Sequence, residues 1–73
     1  MDKEHLVRMA NRIGDFFVAM PDRNEAIEGI ATHIRRFWEP RMRKQILAHV
    51  DEGGTDLNEI VLLALQRHGA TLR

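Results

Sequence analysis

Hydrophobic positions recur with a helical period along nearly the whole chain. At about 100° per residue, Leu6, Met9, Ala10, Ile13, Phe16, Phe17 and Met20 share an arc roughly 120° wide, with Arg8, Asn11, Arg12 and Asp15 outside it. The pattern predicts an amphipathic helix from about Asp2 to Met20. Pro21 stops it, because proline has no N–H to continue the ladder. Asp22 and Glu25 have the spacing of a capping box. They open a second helix whose Ile27, Ile30, Ala31, Ile34, Phe37 and Trp38 occupy an equally narrow arc. The two arcs match residue for residue at a shift of 21, which a duplication would produce and which two core-facing helices with a shared period produce more simply. An αα-hairpin is the expected nucleus.

Pro40 biases Glu39 away from helical geometry, so the second helix is expected to end near Trp38. Pro40 then suits the first turn of a third helix, running to about His49 or Val50. Asp51-Glu52-Gly53-Gly54 reads as a turn. Asp56 with Glu59 offers a second capping box, opening a last helix that Gly69 closes. The expected fold is all-α: one domain over residues 1–73, a small bundle of about four short helices, with an antiparallel first pair and a break at Glu39-Pro40. In the last helix Leu57, Ile60, Val61, Ala64 and Leu65 fill a core-width arc, flanked on opposite sides by Leu62 and Leu63. That exceeds what one face needs. It marks Leu62 and Leu63 as a second candidate interface, with a partner subunit or a second copy of the chain. The competing reading covers one of them with Ala70-Thr71-Leu72 or with the first helix.

Composition narrows the classes. Eleven basic residues balance eleven acidic ones, so no bulk charge draws the chain to nucleic acid. Without cysteine there is no disulfide, no thiolate metal site and no thiol nucleophile, which fits a reducing compartment. Met1 to His5 lacks the layout of a signal peptide, and the apolar run Ile60 to Leu65 is too short to span a bilayer. A cytoplasmic protein that contacts neither membrane nor nucleic acid is expected. Serine and tyrosine are absent as well, so the usual nucleophile–base pairs have nothing to activate. His5, His33, His49 and His68 fall one to a predicted helix, without ligand spacing, and Gly53-Gly54 is no phosphate loop. Neither catalysis nor a bound metal is expected of this chain.

The chemistry that remains lies between residues 35 and 44. Arg35, Arg36, Arg41, Arg43 and Lys44 put five of eleven basic residues into ten positions, around Phe37, the only tryptophan (Trp38), Glu39, Pro40 and Met42. Tryptophan and arginine are the residues most enriched in binding hot spots. Arg35 and Arg36 end a helix, where its dipole favours cations, whereas Arg41, Arg43 and Lys44 begin one, where it opposes them. Arg43 even projects onto the apolar arc between Leu47 and Val50. An acidic partner surface or a polyanion would compensate, so residues 35–44 are the candidate partner-binding site. Trp38 and Met42 would supply apolar anchorage.

The strings Ile13-Gly14-Asp15-Phe16-Phe17, Met20-Pro21-Asp22-Arg23 and His33 through Arg43 resemble the delta subunit of cytoplasmic NAD-dependent formate dehydrogenases, from about Leu6 to Val50. The resemblance implies an accessory subunit, without a redox centre, that binds the catalytic subunit and supports assembly, cofactor insertion or stability. In that family the catalytic subunit carries a molybdenum or tungsten bis-pterin guanine dinucleotide and iron–sulfur clusters, while other subunits carry flavin and pass electrons to NAD. An alternative has the arginines hold the pyrophosphate of the pterin dinucleotide directly during insertion. A small helical nucleic-acid binder is the outside reading, disfavoured by zero net charge.

Overall fold

Short polar side chains and a proline set where the helices begin. The computed structural model describes residues 2–73, and among them the chain forms α1 (Lys3–Phe17), α2 (Arg23–Phe37), α3 (Pro40–Asp51) and α4 (Glu59–Leu72), with no strand. Asp2 caps α1 by accepting from the Glu4 amide at 3.2 Å, and Asp22 caps α2 by accepting from the Glu25 amide at 3.2 Å. Pro40 stands in the first turn of α3, where its missing N–H costs nothing. Trp38 and Glu39 are both extended, with ψ of 138° and 152°, so the chain breaks there in a turn and not a kink.

Three expected boundaries move. α1 stops at Phe17, short of Met20, because the residue before Pro21 is disfavoured in helical geometry and the chain turns in advance. The Met20 amide donates instead to the Phe17 carbonyl at 3.0 Å. Asp56 does not cap α4: it sits at φ 69°, in the left-handed region, and Asn58 is the residue flanking the helix. The orphan amide there is satisfied from another helix. Asn11 of α1 accepts from the Asn58 amide at 2.9 Å and donates to the Asp56 carbonyl at 2.9 Å. Gly69 does not end α4 either. It is buried inside the helix, which continues until Leu72 is 1% exposed. Burying a leucine contributes roughly 1.5–3 kcal/mol, more than the ~1 kcal/mol a mid-helix glycine costs.

One apolar cluster draws on every helix: Leu6, Val7 and Ala10; Ile27, Ile30 and Ile34; Ile46 and Leu47; Val61, Ala64 and Leu65. α2 packs most extensively on α4 and less on α1, its neighbour in the chain. Gly14 makes the α1–α4 approach: a Cβ there would stand 2.4 Å from Val61 Cγ2. After α3 the chain turns through Gly53 and Gly54, both at positive φ, and Leu62 lies against Gly54. His49, buried at the end of α3, donates from Nε2 to the Thr55 carbonyl at 2.7 Å and ties this turn down.

Candidate functional site

The basic, aromatic stretch is divided by the fold. Arg35, Arg36, Phe37, Glu39, Pro40, Arg41 and Lys44 are exposed, Met42 and Arg43 are half-buried, and Trp38 is 5% exposed within the core. Trp38 therefore closes the end of the bundle where α2 meets α3 and offers no free anchor. Its neighbour Phe37 is 70% exposed and takes that position on the surface. Met42 packs against the core beside it.

Arg43 has an internal partner, contrary to the expectation that the start of α3 places its cations for something outside. Its Nη1 donates to the Arg35 carbonyl at 2.8 Å and to the Trp38 carbonyl at 3.3 Å. These are oxygens at the C-terminus of α2, where the helix dipole concentrates negative charge. The guanidinium thus caps α2 from α3 and is held at the corner by it. The direct phosphate reading counted on four free arginines; Arg35, Arg36 and Arg41 remain exposed.

The structure adds Phe16, which periodicity had assigned to the core, and Val18, which it had not. Phe16 is 75% and Val18 54% exposed. Rings run from them along α2: Phe16 and Phe17 meet edge-to-face at 5.1 Å, Phe17 and His33 at 6.4 Å, His33 and Phe37 at 4.8 Å. Gly29 permits the middle of this row, since a Cβ on it would stand 2.5 Å from the Phe17 ring. A signal for this lay in the sequence. Phe16 and Phe37 each project to the edge of their helix's apolar arc, about 100° from Phe17 and Trp38, which lie inside it.

Leu62 and Leu63 are each half-buried within the chain, Leu62 over Gly54 and Leu63 against the core cluster. Lys3, Arg8, Glu4, Glu52 and Asp56 surround a cleft of about 500 Å³ between α1 and the α3–α4 turn, with His49 in its wall. Lys3 and Glu52 stand 3.8 Å apart across it, both more than half exposed, which leaves that ion pair little stabilising weight. The charges are of both signs and converge on no single ligand type. Among the described residues, no group of three or more His, Asp or Glu is placed to hold a metal ion, and no helix is long and apolar enough to cross a membrane.

A family model described as the NADH-dependent formate dehydrogenase delta subunit FdsD matches residues 5–65. Neither a curated protein nor a solved structure matches the chain.

Proposed function

As the chain belongs to the FdsD family of NADH-dependent formate dehydrogenase delta subunits, we propose that it is a non-catalytic accessory subunit of that complex. It binds the catalytic subunit in the cytoplasm and supports its assembly, cofactor insertion or stability. The observation that carries the reading is the family match, which spans α1 from His5 onward, all of α2 and α3, and half of α4. The residues agree with it. A chain without cysteine offers no thiolate to an iron–sulfur cluster, and no glycine-rich loop is present to take a dinucleotide. The redox groups accordingly belong to the other subunits.

The contact surface includes the corner where α2 gives way to α3, with Arg35, Arg36, Arg41 and Lys44 around exposed Phe37. Arginine forks suit carboxylates, and a half-uncovered phenylalanine gains by desolvation. Trp38, Met42 and Arg43 hold the corner in shape. The test is co-purification of the chain with the catalytic subunit, followed by size-exclusion analysis of the ratio in the active enzyme. Co-migration is expected, with at least about tenfold weaker binding for Phe37→Ala combined with Arg41→Ala. A wild-type chain that fails to bind the subunit would sink the reading. Unchanged affinity in the double variant would sink the corner and leave the partnership standing.

A further inference from the structure

The two flanks of α1 differ sharply in what the fold does with them. On one, Asn11 and Asp15 bond Asn58, and Gly14 meets Val61, so α4 and the turn before it cover that side. The other flank adjoins α2 and is left partly in water. There Met9, Ile13 and Phe17 are half-buried and Phe16 is three-quarters exposed. α2 continues the same surface with half-buried His33 and exposed Phe37. The result is an unbroken row of rings over two helices, far more apolar than scattered surface residues.

Its charge has one sign. Projected at about 100° per residue, the uncovered arc of α1 holds His5, Met9, Arg12, Ile13 and Phe16. The adjoining arc of α2 holds Ala26, Gly29, His33, Arg36 and Phe37. Neither contains a carboxylate. The acids of α1, Glu4 and Asp15, project to the covered flank, and on α2 Glu25 borders the arc one turn before Gly29, outside it. Arg12 and Arg36 are exposed, and each projects to an edge of its arc.

We propose that this α1–α2 face, with Phe16, Phe17, His33 and Phe37 between Arg12 and Arg36, docks an acidic amphipathic segment of a partner protein. The partner's apolar side chains lie on the rings, and its Asp or Glu side chains meet the two guanidiniums. A second copy of the chain is a poor occupant. Two-fold pairing would set Arg12 and Arg36 against an identical face that has no carboxylate to receive them. The inference rests on the accessory-subunit reading and extends it from the α2–α3 corner, with which this face shares Arg36 and Phe37, across to Phe16 and Arg12 of α1.

The test measures binding of the full chain to purified catalytic subunit at low and high salt, for wild type, Phe16→Ser, the pair Arg12→Glu with Arg36→Glu, and Arg67→Ala as a control near Asn24 on another face. Phe16→Ser is expected to weaken binding about thirtyfold, with an unchanged melting temperature because the side chain is mostly in water. The charge-reversed pair should lose about tenfold at low salt and most of the salt dependence. Arg67→Ala should bind as wild type. If wild type binds and both test variants bind equally well, the face is overturned and the accessory reading survives. If wild type does not bind, both fall together. A concentration-dependent dimer in sedimentation that Phe16→Ser abolishes would make a second copy the occupant and overturn the assignment to a partner protein.

Discussion

Phe37 and Trp38 are sequence neighbours with opposite roles, one at 70% and the other at 5% exposure. Trp38→Ala should therefore cost about 3–5 kcal/mol, a large share of the few kcal/mol to ~11 kcal/mol a domain of this length has. Phe37→Ala should change stability by no more than ~0.5 kcal/mol. Denaturant unfolding of the two variants checks the contrast, and equal losses would refute the division of the pair into core and surface. Arg43 illustrates the same point for a charge. The sequence shows a cation at a helix start, where the dipole disfavours it. The structure shows the guanidinium reaching past its own helix to the last carbonyls of α2. Arg43→Ala should destabilise by about 1–2 kcal/mol, while Arg41→Ala, fully outside, should be neutral within ~0.5 kcal/mol. Thermal melts of both would show whether one arginine of the cluster is structural and the other free.

At the level of elements, the number, order and type of helix were legible in periodicity and punctuation. Asp22, Pro21 and Pro40 act locally, through an accepted amide bond or a missing N–H, and local effects can be read from local sequence. The two ends of α4 were less legible, because distant residues decide them. Asn11 supplies the bond at the start of α4, and a buried Leu72 extends that helix past Gly69. Gly14 makes the conflict measurable. By intrinsic propensity Gly14→Ala should stabilise α1 by about 1 kcal/mol. Its Cβ would, however, meet Val61 at 2.4 Å, and Val61 is fully buried and branched. A net loss of about 1–3 kcal/mol is expected in equilibrium unfolding. A gain would mean that α1 and α4 can separate without cost.

Over the whole molecule, stability comes from α4 as much as from the first two helices. α2 turns its Ile27, Ile30 and Ile34 into a core that Ile60, Val61, Ala64, Leu65 and Leu72 complete. A peptide of residues 2–38 should therefore show little helix by circular dichroism, since helices of 15 residues are marginal in water without tertiary contacts. Strong helicity in that peptide would restore the first pair as an independent nucleus. The candidate surface also belongs to this scale. Phe16, His33 and Phe37 come from two helices, and although Phe16 and Phe37 sit at the edges of their arcs, only the placement of the other helices leaves all three uncovered together.

By itself the sequence determined the all-α class, the break at Glu39-Pro40, the capped start of α2 and the family signature, because each rests on spacing or on a backbone property of one residue. Only the tertiary structure decided which of two adjacent aromatics is core, which arginine is capped into the fold and which helix flank stays open. Those outcomes depend on what the remaining helices cover. A helical period states that a side chain faces a given direction, not whether another helix is there to meet it.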